Sequence, residues 1–257
     1  MYARSSAAPE IEEAAKLFNH ASRIVAFTGA GISTPSGIPD FRSPESGIWE
    51  NEDPMTVASI FGFRRDPQAF YRWMRPLAKL MRNAKPNAAH FALWHLEALG
   101  KLDSIITQNI DMLHSEAGNS RIYELHGHLR EATCVECYKV YPGKEIMDRF
   151  IKTGDLPRCD CHRQGVLKPN VILFGEQLPY EALQHAKNAI RRCDLLLIIG
   201  SSLEVAPASD LPLLAKRSGA KVVMINLHKT DFDRIADVLI RGDVAEVLPA
   251  IVEQVEN

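Results

Sequence analysis

The chain has 257 residues, 46% of them hydrophobic and 24% charged, with a formal net charge of -2. Those proportions give a globular protein with a sizeable core, as one large domain or a large domain with a small insertion. Near-neutral charge leaves no basic field for nonspecific nucleic-acid binding, and no apolar run approaches the roughly 20 residues of a membrane-spanning helix.

Residues 1–8 lack the apolar stretch of a secretory signal, so a cytoplasmic protein is the expectation. Apolar residues at helical spacing predict a helix over 10–20, leading into the strand Ile24-Val25-Ala26-Phe27. The next segment, Gly29-Ala30-Gly31-Ile32-Ser33-Thr34-Pro35-Ser36-Gly37-Ile38-Pro39-Asp40-Phe41-Arg42, is punctuated by glycine and proline. Its glycines let the main chain turn tightly and approach a phosphate, with N–H groups directed at the charge. Many unrelated loops share Gly-Ala-Gly after a strand. Asp40 comes sooner than the ribose-binding acid, roughly 20 residues on, of ordinary dinucleotide folds.

Helices over 66–81 and 87–99 follow, then the strand Ser104-Ile105-Ile106. Polar Thr107-Gln108-Asn109-Ile110-Asp111 gathers at its carboxyl end, where open α/β sheets bind ligands. Glu124-Leu125-His126-Gly127-His128 comes next, with a histidine beside a glycine. Segment 129–168 interrupts the alternation and predicts a small module. It carries two cysteine pairs, Cys134-Val135-Glu136-Cys137 and Cys159-Asp160-Cys161, about twenty residues apart, a spacing that suits tetrahedral thiolate coordination of zinc. Without a secretory signal, disulfides are disfavoured.

Val171-Ile172-Leu173-Phe174-Gly175-Glu176 alternates little and reads as an edge or linking strand. A helix over 181–192 precedes a strand over 194–199, whose continuous apolar run suits burial on both faces. Cys193, just before it, reads as a small buried hydrophobe. Gly200-Ser201-Ser202 ends that strand. A helix over 207–218, a strand over 221–226 ending in Asn226, a short strand near 238–240 and a helix over 244–255 close the chain. This alternation is that of an α/β fold, a Rossmann-like parallel sheet flanked by helices.

Segment 29–42 closely resembles the cofactor-binding signature of the sirtuins, the NAD-dependent protein deacylases. Sirtuins also carry the motifs at 107–111 and 124–128, in this order and at much this separation. The likeness spans about 10–255 through five ordered motifs, and the chain resembles the bacterial and archaeal single-domain deacetylases. It implies one catalytic domain over 1–257, with a large domain from 10–128 and 169–257, a helical insertion at about 43–88 and a zinc-binding module at 129–168.

The resemblance also implies roles. NAD, the co-substrate, would be held by Gly29, Ala30, Gly31 and Thr34, under a flexible loop containing Asp40, Phe41 and Arg42, with Phe41 shielding the reactive cation. Gln108, Asn109, Ile110, Asp111 and His126 would line the nicotinamide and ribose side. Gly200, Ser201, Ser202, Asn226 and Leu227, with Asp243 and Val244 in the turn after Gly242, would take the adenosine half. His126 would be the general base on a ribose hydroxyl, work that suits an imidazole. Asn109 would position a ribose hydroxyl or water, and Asp111 with Ile110 the nicotinamide amide. The acyl oxygen attacks the ribose carbon as nicotinamide leaves, and the products are nicotinamide, free lysine and an acyl-ADP-ribose ester. His128, outside this scheme, reads as structural.

Sirtuins usually place two or more residues between the second pair of cysteines, whereas Asp160 stands alone here. The zinc set is therefore Cys134, Cys137, Cys159 and Cys161, with His162 as the alternative to Cys161. An extended acyl-lysine peptide would pair through the main chain with Val171, Phe174, Gly175 and Glu176 on one side, and with Leu203, Glu204 and Val205 on the other. Core packing explains the side chains of Val171 and Phe174 equally well. Members that remove acidic acyl groups carry a Tyr and an Arg three residues apart. Tyr71-Arg72-Trp73-Met74 puts Met74 at the Arg position, leaving a carboxylate without a bidentate partner.

Removal of acetyl and other neutral acyl groups is the expected activity, with ADP-ribose transfer to protein as the alternative. A dehydrogenase would need neither His126 nor the cysteines, and a noncatalytic module would not need His126, Asn109 and Asp111 together. No direct nucleic-acid or membrane partner is expected, and nothing demands more than a monomer.

Overall fold

A computed structural model describes residues 8–40 and 53–255. Helix α1 (Ala8–His20) turns Ala14, Ala15 and Phe18 inward and delivers the chain to strand β1 (Ile24–Thr28), all five of whose residues are buried. Beyond the Gly-rich loop come α2 (Pro54–Val57), α3 (Ile60–Arg65), α4 (Pro67–Asn83) and α5 (Ala88–Ala98). Asp66 caps α4 by accepting from the Ala69 N–H, and Pro67 fits the first turn because it has no N–H to leave unpaired. Asn87 caps α5 in the same way, through Ala89 N.

Next are β2 (Leu102–Thr107), α6 (Leu113–Glu116), β3 (Ile122–Glu124), β4 (Gly127–Cys134), β5 (Val140–Pro142), α7 (Gly143–Thr153) and β6 (Leu167–Val171). The chain then runs through α8 (Tyr180–Arg192), β7 (Leu195–Ile199), α9 (Leu211–Arg217), β8 (Lys221–Ile225), β9 (Val238–Ile240) and α10 (Val244–Val252). The helix expected over 207–218 is a 3-10 turn at Ala208–Asp210 followed by α9, which starts afresh with Pro212 in its first turn.

The main sheet has the order β3-β2-β1-β7-β8-β9, with every pairing parallel. From β1 the chain crosses to β2 on one side and later to β7 on the other, so the strand order reverses beside β1. That reversal is where doubly wound sheets bind ligands, at the carboxyl ends. Ile24, Ala26, Leu195 and Leu197 face α1, α5 and α10, while Val25, Phe27, Leu196 and Ile198 face α8 and α9. Both faces are covered, which explains apolar runs without alternation. Each of the Val, Leu, Ile and Phe side chains among them contributes about 1.5–3 kcal/mol by leaving water.

A second sheet, β5-β4-β6, is antiparallel and carries the cysteines at its end. Its helix α7 packs on α4 through Tyr71 and Phe150, with ring centroids 4.8 Å apart, inside a cluster that includes Phe70, Met74 and Leu77. Arg75 donates to the Ile151 carbonyl (2.8 Å) at the end of α7, and Arg82 pairs with Asp148 (2.6 Å). The expected strand over 171–176 is a correction: β6 ends at Val171, and the chain then changes partners. Phe174 N donates to Ala58 O (2.9 Å) and Ile60 N to Phe174 O (2.9 Å), so Phe174 is stitched to the segment between α2 and α3. Among the described residues no helix is long and apolar enough to cross a membrane.

Candidate active site

The strand ends assemble the site by handing hydrogen bonds from one turn to the next. Beyond β1, Gly29 N donates to Ile199 O (3.0 Å) and Gly31 N to Gly200 O (2.9 Å). Gly200 N in turn donates to Ile225 O (3.0 Å), and Asn226 N to Ile240 O (3.2 Å). The two turns beside the reversal point touch main chain to main chain. Gly200 has φ +57°, and a Cβ there would lie 2.5 Å from the Gly31 carbonyl carbon, so only glycine fits.

Ser201 is locked into this edge. Its N–H donates to Asn226 Oδ1 (3.0 Å), Asn226 Nδ2 donates back to Ser201 O (3.0 Å), and its Oγ donates to Gln108 Oε1 (2.8 Å). Ser202 and Leu227 are exposed beside them. Arg241 Nη1 donates to Asn226 O (3.4 Å) and also to the His228 carbonyl, while its guanidinium pairs with Asp233. Asp243 caps α10 through Ala245 N (2.8 Å), and the Val244 side chain lies in the core.

On the other side of β1, Asn109 Nδ2 donates to Gly29 O (3.1 Å) and Ser33 Oγ (3.2 Å), and its N–H donates to Thr107 Oγ1 (3.0 Å). Ser33 Oγ donates to Asp111 Oδ2 (2.7 Å), and Leu113 N to Asp111 Oδ1 (3.0 Å). Burial raises the Asp111 pKa, and these two donors oppose the rise. Thr34 Oγ1 donates to Gly31 O (3.1 Å). Ala30, Asp40 and Ile110 are half-buried around this bend. Phe41 and Arg42 lie outside the described residues.

His126 stands between β3 and β4. Its Nδ1 lies 3.0 Å from Gln108 O, and a carbonyl only accepts, so Nδ1 carries the proton and Nε2 keeps its lone pair. Burial lowers the His126 pKa, with the Gln108 carbonyl pulling the other way. Gly127, at φ +74°, follows it because a Cβ would lie 2.1 Å from Asn170 O. His126 O accepts from Ile172 N (2.8 Å), tying the ring's backbone to the segment after β6. His128, half-buried, has its pKa lowered by burial and by Arg130.

The substrate-side residues divide. Val171 and Leu203 are buried in separate apolar clusters, whereas Phe174, Glu176 and Val205 are half-buried and Gly175 and Glu204 exposed. Tyr71, fully buried, donates its hydroxyl to Leu167 O, and Met74 is buried beside it. Burial pushes the Tyr71 pKa up.

Several supporting residues were not singled out from the sequence. Thr28 Oγ1 donates to Thr107 Oγ1 (2.9 Å) and lies 2.9 Å from Nε2 of the buried His114. Asn87 Nδ2 donates to Ile32 O (2.8 Å) and Ser36 Oγ (2.9 Å), pinning the Gly-rich loop to the start of α5. Ser33 and Thr107 sit inside the quoted motifs, and Asn87 stands where a helix cap is expected. His114 carries no local signal, because only the fold brings it under β1.

The metal candidates converge. The Sγ atoms of Cys134, Cys137, Cys159 and Cys161 all lie within 4.8 Å of one another, with Cys134–Cys161 at 4.0 Å and Cys137–Cys159 at 3.6 Å. Tetrahedral zinc with Zn–S bonds of about 2.3 Å separates its sulfurs by about 3.8 Å, so the set fits a structural zinc ion. His162 is exposed and outside this group. The NAD candidates also suit their ligand: turns 29–33, 200–202 and 226–228 carry no carboxylate to repel a pyrophosphate.

Comparison with known proteins follows this geometry. The profile of the Sir2 family matches residues 29–207. The chain is 46% identical over 249 residues to the NAD-dependent protein deacylase 2 of Archaeoglobus fulgidus, covering 96% of this chain and 97% of that protein. It is 42% identical to the NAD-dependent protein deacetylase of Sulfurisphaera tokodaii, covering 96% and 97%. A solved Sir2 variant holding a deacetylated peptide and 3'-O-acetyl ADP ribose superposes with a TM-score of 0.90 at 41% identity, covering 96% of this chain and 99% of that one.

Proposed function

The chain belongs to the Sir2 family, and from that premise we propose that it removes acetyl and other neutral acyl groups from protein lysine at the expense of NAD. The products are nicotinamide, free lysine and the O-acyl-ADP-ribose ester. NAD, when bound, supplies the glycosidic bond whose cleavage drives the transfer. Relatives named for deacylation and deacetylation, and a solved neighbour holding deacetylated peptide with acetyl ADP ribose, favour this over ADP-ribose transfer to protein.

The observation that carries the reading is the linked set His126, Gln108, Asn109, Ser33 and Asp111 beside the reversal point of the sheet. His126 is the general base: its Nδ1 proton is committed to Gln108 O, so Nε2 is ready to take a proton from a ribose hydroxyl. The lowered pKa keeps the ring neutral at pH 7. Asn109 is held by its amide nitrogen, which leaves Oδ1 to orient a hydroxyl or water. Asp111, fixed by Ser33 and Leu113, would receive the nicotinamide amide together with Ile110.

Ala30 and Asp40, with Phe41 and Arg42 that the family resemblance adds to them, are assigned to cover the cofactor, and the glycine and serine turns at 200–202 with Asn226, Leu227, Asp243 and Val244 to take the adenosine half. The peptide pairs with the segment through Gly175 and Glu176 and with 203–205. Phe174 does not offer it main-chain pairing, since its main-chain groups are already bonded to Ala58 and Ile60. Cys134, Cys137, Cys159 and Cys161 would hold zinc for folding alone, within a module spanning 129–168.

The test is incubation with an acetyl-lysine peptide, with and without NAD, following peptide mass and nicotinamide. Acetyl loss matched one-for-one by nicotinamide is expected. Nicotinamide release with an unchanged peptide and ADP-ribose on protein would overturn the reading.

A further inference from the structure

Lys168 lies on β6, a strand whose odd-numbered residues are buried and whose even-numbered ones are half-buried. Its ammonium reaches past the strand end, donating to Val171 O (2.8 Å) and Pro169 O (3.4 Å) and pairing with Glu176 Oε2 (2.9 Å). The same carboxylate oxygen accepts from Leu173 N (2.8 Å), and Glu176 N donates to Leu173 O (3.0 Å). The two side chains are only 15% and 23% exposed, so the pair is shielded where a surface pair would be screened. The turn 173–176 is thus fastened twice, by Lys168 on one side and by Ala58 and Ile60 on the other. No described residue hydrogen-bonds the Gly175 main chain.

We propose that Lys168 is a positioning residue for the peptide substrate. Through Glu176 and Val171 it sets the shape of the turn that presents the free Gly175 main chain. This rests on the deacylase reading, in which that segment pairs with an extended peptide. A strand-pairing surface must hold its donors and acceptors in line before the peptide arrives, or binding pays for the ordering. Lys168 touches no reacting atom, so its loss acts on peptide affinity and not on the chemical step.

The experiment compares Lys168→Met, Glu176→Gln and the double variant in the full-length protein. Lys168→Met is expected to raise KM for an acetyl-lysine peptide about tenfold, with kcat and the KM for NAD within about twofold of wild type. Exchange of the Leu173 amide should accelerate by at least about tenfold, since its acceptor loses its anchor. Glu176→Gln keeps an acceptor for Leu173 but loses the ion pair, so its KM should rise similarly, and the double variant should be no worse than the poorer single.

A peptide KM unchanged in Lys168→Met, unchanged Leu173 exchange, or a fall in kcat at constant KM would each overturn the proposal. If Lys168→Met does not fold, additive behaviour cannot be scored and Glu176→Gln decides alone: unchanged KM overturns the proposal. A wild type that consumes no acetyl-lysine peptide overturns the deacylase reading and the substrate role with it, while Leu173 exchange still tells whether the clasp exists.

Discussion

His126 has one ring nitrogen left to use, and that is a consequence of where Gln108 puts its carbonyl. His126→Ala should lower kcat by at least about a hundredfold, the usual worth of a positioned base, while NAD affinity changes only a few-fold. Activity above a few per cent of wild type would remove His126 from that role. The pH profile follows from the same burial. A lowered pKa means the neutral base survives as pH falls below the ordinary value of 6.5 and is lost only at the depressed value. The acid limb of kcat/KM should therefore lie below pH 6.5 with unit slope, and a limb centred above 7 would contradict the assignment. By the family resemblance, Tyr71 and Met74 stand where members that remove acidic acyl groups carry a Tyr and an Arg. The Tyr71 hydroxyl is spent on Leu167 O and Met74 offers no charge, so on that resemblance a succinyl carboxylate would find no partner there. Succinyl-lysine peptide should turn over at least about tenfold more slowly than acetyl-lysine peptide, and comparable rates would count against it.

The second cysteine pair forms a short bend held by Cys161 N donating to Cys159 Sγ (3.3 Å) and Gln164 N to Cys161 O (2.8 Å). That bend brings both thiols to one centre despite the single intervening Asp160. Cys161→Ala should then cost most of the zinc, whereas His162→Ala should retain about one zinc per chain. Metal analysis showing the reverse would make His162 the ligand. The bend also marks the limit of reading elements from sequence. Strands β1, β7 and β8 were legible because they are continuous apolar runs, and α4 and α5 because their apolar residues recur at helical spacing. Helix α7 carries Ile146, Met147 and Phe150 on one side, a helical pattern masked by the irregular chain around it. Strand β3 is only three residues long, and β6 ends where the sequence leads one to expect a strand to begin, because Val171, Leu173 and Phe174 look alike in sequence although they bond to different neighbours. The motif residues that the fold brings together at the strand ends were legible as candidates, but Lys168 and His114 make contacts across the fold that spacing does not encode.

The whole molecule joins two bodies of packing that meet at the site. The turns proposed for adenosine rest on the clusters flanking the parallel sheet, made from α1, α5 and α10 on one face and α8 and α9 on the other. The side proposed for the peptide rests elsewhere, on the cluster shared by α4, α7, Val171 and Leu173, which adjoins the cysteine sheet through β4 and β6. Zinc held there would contribute folding energy to that second body, because the four cysteine sulfurs lie within 4.8 Å of one another, as a tetrahedral ion requires. Loss of the metal should loosen β6, then the Tyr71–Leu167 and Lys168–Glu176 links, and then the turn at Gly175. The parallel sheet has no such dependence. Protein stripped with a chelator should accordingly lose affinity for an acetyl-lysine peptide by at least about tenfold, while ADP-ribose binds within about threefold of the zinc-loaded protein. Calorimetric titration of both ligands before and after chelation, and again after zinc is restored, reads this directly. Equal loss of both affinities would mean that the two bodies fold as one unit, and retention of both would mean that the cysteine centre does not support the peptide side.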